Sequence, residues 1–227
     1  MVLASAMKRQ RPHLKSLIIM KLEVTRTPII REIIEMPALL YNLRDRKVYA
    51  SFHEYVKPSR IRAIDQKCAQ VTGVRQDMVE NADLFPPVWK RFKEFLQYHD
   101  VLRDPSTTAF LTYDKADLNE ILPAQLAYKS LVDSHLDDLS LLSQISRLNI
   151  KKAFARQYKL KQTKPLRKMM GQLALSKDER YHFGMEECWS LARLVEAMQH
   201  DGWRPRTPDL SKTQMKVPKS KPIVSPE

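Results

Sequence analysis

Glycine and cysteine are both scarce in this chain of 227 residues, with 4 Gly and 2 Cys against 14 Pro. So little glycine leaves no Gly-rich phosphate loop, and neither G-x-x-x-x-G-K-[ST] nor G-x-G-x-x-G occurs. Cys68 and Cys188 alone cannot build a disulfide framework and point to a reducing, intracellular setting, cytoplasmic or nuclear. No apolar run approaches the roughly eighteen residues of a transmembrane helix, so neither a membrane span nor a membrane partner is expected. Acidic residues are missing from two long stretches: none precedes Glu23, and none lies between Asp138 and Asp178.

Positive charge is abundant instead. The 39 Lys and Arg outnumber the 26 Asp and Glu, leaving +13, and such an excess predicts a polyanionic partner, RNA foremost. Residues 1–15 form a basic arm with Lys8, Arg9, Arg11 and Lys15, and Pro12 argues against an amphipathic targeting helix there. Residues 16–203 carry the apolar patterning of one domain. Residues 204–227 hold Pro205, Pro208, Pro218, Pro222 and Pro226 with several lysines. Burial in such a segment cannot offset ordering entropy, so it is expected to be a disordered tail, either simply solvated or a strap for RNA or a protein partner.

The patterning predicts an α/β domain with one mixed sheet and helices on both faces. Leu17-Ile18-Ile19-Met20 reads as a strand buried on both sides, and residues 32–42 and 48–56 as a hairpin about a polar turn. Helices are expected over 61–72, ending at Gly73, and from Pro86-Pro87 onward. A fourth strand spans 108–113, followed by a helix over 114–127 that Pro123 must kink or shorten. After Ser140 the pattern reads as helical to the end of the domain. The acid-free span carries Lys151, Lys152, Arg156, Lys159, Lys161, Lys164, Arg167 and Lys168, with Phe154 and Tyr158 interleaved. A one-signed run of this kind suits phosphate neutralisation, with aromatic faces for base stacking.

Several stretches together resemble one family. Glu32-Ile33-Ile34-Glu35-Met36-Pro37, Phe52-His53-Glu54-Tyr55-Val56-Lys57-Pro58, the segment from Cys68 to Thr72-Gly73, and Asn149-Ile150-Lys151-Lys152-Ala153-Phe154 are similar to the enhanced-RNAi-type DEDDh 3′–5′ exoribonucleases. So is the helix from His182 to Gly202. That resemblance covers nearly the whole chain before the tail and implies a ribonuclease H-like exonuclease fold. It also implies a site where four carboxylates hold two divalent ions and a histidine acts as general base.

The family's motifs are altered here. Its D-x-E reads Lys21-Leu22-Glu23, a lysine standing where the metal-bridging aspartate belongs. Its second motif reads Thr112-Tyr113-Asp114-Lys115-Ala116-Asp117-Leu118, which keeps Asp117 at the ligand position and loses the preceding tryptophan to Ala116. Its third reads His182-Phe183-Gly184-Met185-Glu186-Glu187, with His182 at the base position and Glu187 one methylene longer than aspartate. Glu23, Asp117 and Glu187 are thus expected as vestigial ligands, with His182 a vestigial base and Lys21 a fixed cation among them. Taken singly, Asp117 also reads as an exposed acid, His182 as a capping histidine, and Glu186 and Glu187 as first-turn residues favoured by the helix dipole. The expectation is a catalytically impaired exonuclease-like protein that binds RNA or docks in a ribonucleoprotein, without a cofactor or with at most one weakly held magnesium or manganese ion. The alternatives are a weakly active metal-dependent exoribonuclease and a protein-interaction scaffold.

Overall fold

The computed structural model describes residues 14–26, 31–127, 142–175 and 184–211. Strand β1 (Ser16–Met20) runs through the middle of the sheet. Leu17 and Ile19 pack into one core and Ile18 and Met20 into another, because residues two apart on a strand share a face. Both faces are covered, which is why the run shows no polar alternation.

Strand β2 (Glu23–Val24) continues the chain beyond β1, and β3 (Ile33–Asn42) pairs antiparallel with both. The expected hairpin is present: β3 folds back on β4 (Lys47–Tyr55). Asn42 makes the turn by accepting the N–H groups of Arg44 at 2.8 Å and Asp45 at 3.0 Å, and Arg46 takes a left-handed φ of 55°. On the other side of β1 lie β5 (Thr108–Thr112) and β6 (Ser146–Asn149), both parallel, and then β7 (Leu210–Ser211), antiparallel to β6. Among the described residues this is a seven-stranded mixed sheet in the order β2-β3-β1-β5-β6-β7, with β4 on β3.

The described helices are α1 (Gln66–Thr72), α2 (Gln76–Glu80), α3 (Phe85–Tyr98), α4 (Leu122–Leu126), α5 (Ile150–Gln157), α6 (Leu166–Gln172) and α7 (Gly184–His200). Helices α5, α6 and α7 cover the Leu17–Ile19 face, while α3 and α4 cover the opposite one.

Four expectations need correction. The helix expected from residue 61 begins only at Gln66. Buried Glu32 accepts the N–H groups of Ser59, Arg60 and Ile61 and holds that stretch extended, and Asp65 then caps α1 by accepting from the Cys68 N–H at 2.6 Å. Ahead of Pro123 the chain forms a π turn over Asp117–Ile121, the adjustment of a segment whose proline cannot donate. The span read as helical after Ser140 contains β6, whose four residues are too few for a period to show.

The fourth correction concerns residues 204–211, which the composition assigns to the tail. They belong to the fold. A 3-10 turn at Thr207–Asp209 leads into β7, and the buried Asp209 accepts the Arg206 N–H at 3.0 Å and forms an ion pair with Arg156. Arg156 is therefore committed to the structure. Residues 1–13 of the basic arm and residues 212–227 lie outside the described residues, while Lys15 is tied to the sheet through Thr107 and Leu43. Asp209→Ala leaves the guanidinium unpaired and unpins β7, and is expected to cost about 2 kcal/mol, read as a lower urea midpoint. Unchanged stability would show that the pair contributes nothing.

Candidate active site

The parallel strands β1 and β5 end at the same edge of the sheet, the edge where open α/β sheets place their ligands. Lys21 follows β1 directly, and its N–H donates to the Pro37 carbonyl at 3.4 Å. Glu23 opens β2, opposite Glu35 of β3. Asp117 begins the π turn after β5, and Glu187 lies in the first turn of α7. The structure thus gathers Lys21, Glu23, Asp117 and Glu187 into one electrostatic cluster, with Asp114 beside them. His182 lies outside the described residues.

Lys21 Nζ stands 4.0 Å from Asp117 Oδ1, with the two side chains 19% and 2% exposed. Burial draws the lysine pKa down, but Asp117, Glu187, Glu23 and Asp114 outweigh it and hold the ammonium above its ordinary range. For the acids the balance reverses. Burial pushes Glu23 up to about 8 and Asp117 up to about 7, with Lys21 opposing in both cases. Glu187 is also raised by burial against the pull of Lys21. The lysine's rise implies ionised carboxylates around it, whereas the acids' rise implies protonated ones. One ammonium facing several acids reconciles the two: Lys21 favours the ionised form of its neighbours, while burial favours the proton-bound form of Glu23, Asp117 and Glu187. Asp117 Oδ2 and Glu187 Oε1 are both buried without a hydrogen-bond partner among the described residues.

Sequence reasoning missed the support of this cluster. Glu35 is buried in β3, where its Oε1 meets His53 Nε2 at 2.8 Å and its Oε2 accepts the Gly184 N–H at 3.3 Å. A Cβ at position 184 would approach Glu35 Oε2 to 2.8 Å and Pro37 Cγ to 3.0 Å, so only glycine lets the first turn of α7 close on β3. A carboxylate at a helix N-terminus is favoured by the helix dipole, and here it places Glu187. An acid inside the apolar stretch Ile33-Ile34-Glu35-Met36 was the available signal.

The expected phosphate-contacting residues divide. Arg156 is paired with Asp209, Lys164 Nζ donates to Gln172 Oε1 at 2.6 Å, and Lys151 Nζ lies 3.9 Å from the centre of the Tyr113 ring. Lys151 also acts on Glu187, so the start of α5 adjoins the carboxylate cluster. Lys152, Lys159, Lys161, Arg167 and Lys168 are exposed.

The residues present do not fit a two-ion centre. The bridging carboxylate is replaced by an ammonium that stands in the cluster, and two divalent charges beside it would be repelled and one ligand short. Among the described residues no three His, Cys, Asp or Glu side chains are disposed to hold a metal ion.

A mixed sheet with this order, clad by helices on both faces and carrying acids where its parallel strands end, is the ribonuclease H-like exonuclease fold. The family described as exonuclease (RNase T) matches residues 8–194, and the chain belongs to it. Within it the chain is homologous to the ERI1-type 3′–5′ exoribonucleases. It is 30% identical over 180 residues to the 3′-5′ exoribonuclease 1 of Rattus norvegicus, covering 76% of this chain and 48% of that protein. To the ERI1 exoribonuclease 3 of Homo sapiens it is 27% identical over 174 residues, covering 76% and 49%. The chain spans about half the length of these curated relatives. The crystal structure of a full-length 3′-exonuclease superposes with a TM-score of 0.70 at 25% identity, covering 91% of this chain and 93% of the other. The nuclease domain of 3′hExo, a DEDDh family member bound to rAMP, gives 0.68 at 25% identity, covering 89% and 98%.

The raised acids set a pH dependence. Glu23, ordinarily 4.5, titrates in the fold at about 8, and Asp117, ordinarily 3.8, at about 7. Both bind protons more tightly folded than unfolded, so their contribution is fully present below the ordinary values and is lost as pH rises through the folded ones. Melting temperature in chelator is therefore expected to fall between pH 5 and 8, and Asp117→Asn or Glu23→Gln should flatten that slope. Lys21→Ala removes the only cation bonded into the cluster among the described residues. It is expected to cost on the order of 3 kcal/mol near neutral pH, and less at low pH where the acids are protonated. An unchanged melting temperature would mean that Lys21 does not hold the cluster.

Proposed function

We propose that this chain is a catalytically impaired 3′–5′ exonuclease-like protein that binds RNA and holds no metal, or at most one weakly bound magnesium or manganese ion. The position of Lys21 carries the reading. An exonuclease centre built on two ions needs an anion between them, and this one presents an ammonium 4.0 Å from Asp117. The transition-state stabilisation that a bound ion supplies, several kcal/mol, would be lost with it. Glu23, Asp117 and Glu187 then act as vestigial ligands neutralised by Lys21 and by shared protons, with His182 a base left without a metal-activated nucleophile.

RNA binding is supported by the charge of +13 and by the exposed Lys152, Lys159, Lys161, Arg167 and Lys168, which leave the α5–α6 face without a carboxylate in its sequence span. It agrees with a 3′-exonuclease of similar fold, at a TM-score of 0.71 and 25% identity, whose structure is of 3′-end specific recognition of a histone mRNA stem-loop. Assembly into a ribonucleoprotein in the cytoplasm or nucleus, with residues 212–227 as a contact for a protein partner, completes the proposal.

A second reading, a weakly active exoribonuclease, is favoured by Asp117 Oδ2 and Glu187 Oε1, which have no hydrogen-bond partner among the described residues and offer donors to a single ion. A nuclease assay with magnesium or manganese on short RNA with a 3′ overhang separates the two. No trimming is expected from the wild-type chain, and trimming abolished by Glu23→Gln would overturn impairment. Calorimetry should detect stronger magnesium binding once Lys21→Asp and Glu187→Asp restore the ligand set. On the basic face, each neutralised phosphate contact should flatten the log–log salt dependence of RNA affinity by about 0.7, whatever the RNA sequence. Unchanged affinity and slope in the variant with Lys152, Lys159, Lys161, Arg167 and Lys168 all replaced by Gln would favour a protein-interaction scaffold.

A further inference from the structure

A cavity of about 890 Å3 opens at the pole of the sheet opposite the carboxylates, between the start of β1, the β3–β4 turn and the end of α7. Its walls carry Lys15, Arg44, Arg46 and Arg204, together with Trp203 and Gln199. Lys15 precedes β1 and Lys21 follows it, which at about 3.3 Å per residue puts the cavity about 20 Å from the carboxylate cluster. The volume lies within the range of ligand sites, roughly 300–1,000 Å3.

The backbone around these cations is fixed. Lys15 donates its N–H to the Thr107 carbonyl at 2.7 Å and accepts the Leu43 N–H at 2.9 Å. Arg44 and Arg46 flank the turn that Asn42 organises. Gln199 is buried, accepting the Tyr41 hydroxyl at 2.8 Å and donating Nε2 to the Leu43 carbonyl at 2.8 Å, which joins α7 to the hairpin. Gly202, at φ 80°, and Trp203 return their N–H groups to the Gln199 and Met198 carbonyls. The carbonyls that would otherwise repel an anion at the end of α7 are thereby engaged, and Arg204 follows at the rim.

Among the described residues none of the four cations forms an ion pair with a carboxylate, and no acid lines the cavity. Of the acids nearest in the chain, Asp201 accepts the Tyr158 hydroxyl at 2.7 Å, while Asp45 stands in the turn between Arg44 and Arg46 and Glu196 acts on Tyr41 together with Arg46, all three outside the cavity wall. Three guanidinium groups and an ammonium thus line one cavity whose wall holds no carboxylate, and a phosphate placed there matches the guanidinium fork. The carboxylate cluster at the other pole offers a phosphate nothing comparable, with one ammonium among several acids.

We infer that this cavity is a phosphate-binding site, which takes either a phosphate of an RNA strand or that of a free mononucleotide. RNA as the source rests on the RNA-binding reading above; the anion site itself does not. The full chain, titrated calorimetrically with inorganic phosphate, AMP and a short single-stranded RNA, tests it, with the Trp203 indole N–H resonance as a local probe. AMP and RNA are expected to move that resonance. In the variant carrying Arg44→Gln, Arg46→Gln and Arg204→Gln, affinity for both should fall about tenfold or more. AMP affinity should be unchanged in Lys152→Gln/Lys168→Gln. Loss of AMP affinity alone, with RNA affinity unchanged, keeps the site and makes a free nucleotide its ligand. Wild-type protein that binds AMP at the cavity but no RNA also keeps the site, while refuting the RNA reading. Wild-type affinity for all three probes in a folded triple variant overturns the inference. So does a Trp203 resonance that none of them moves in the wild-type chain, an outcome that does not depend on whether the variant folds.

Discussion

The carboxyl end of β1 must accommodate several acids, and one ammonium makes that possible. Glu23 is placed by the β2–β3 pairing, Asp117 by the turn after β5 and Glu187 by the docking of α7 on β3. Their mutual repulsion is therefore a fixed cost of the architecture, and Lys21, itself only 19% exposed, offsets it from within. Divalent ions would do so more strongly, but they exchange with solvent. A tethered lysine is present in every copy of the chain at every salt concentration, so on the proposed reading the fold's tolerance of its acids would not depend on metal supply.

Around this cluster the structure is rigid in the places that matter for it. Glu35 joins β3, β4 and α7 through His53 and Gly184, so the helix bearing Glu187 is keyed to the strand facing Glu23. On the far side, buried Arg147 donates to the Leu118 carbonyl at 2.5 Å and ties β6 to the turn that carries Asp117. Burial lowers this arginine to about 10, a perturbation that the sequence alone gives no reason to expect. The pocket's shape thus depends on polar contacts inside the sheet layer, while the two apolar cores above and below it hold the strands in register.

How much of this was legible depends on how far each signal reaches. β1, the β3–β4 hairpin and α7 announce themselves through apolar runs and stripes long enough for burial to impose a period. β6 and β7 have four and two residues, too few for any period, and are strands only because β5 offers an edge to β6 and β6 offers one to β7. The motif positions of Lys21, Glu23, Asp117 and Glu187 were readable by resemblance, and the structure brings these four together. Arg156 misled because its partner Asp209 lies beyond Trp203, in a proline-bearing segment whose composition reads as tail. A charged residue's partner across fifty residues of chain is a property of the fold, and a local charge run cannot reveal it.

The two poles of the sheet have opposite electrostatic character, and that asymmetry bears on how an RNA strand could lie on the surface. In an exonuclease the scissile phosphate enters the carboxylate pocket because the metal ions reverse its sign. Here one ammonium faces Glu23, Asp117, Glu187 and Asp114, and a phosphate arriving there would meet either carboxylates or their protons, with little net attraction. Lys151, at the rim beside Glu187, is the nearest positive group on α5, and it is already held against the Tyr113 ring. On the proposed reading, the exposed lysines of α5 and α6 and the cations of the far cavity would offer a polyanion a path that passes beside the carboxylate pocket. On the proposed reading, affinity for RNA would outlast the nuclease centre because the field that steers a strand is spread over many exposed side chains, whereas cleavage needs a few carboxylates in one arrangement.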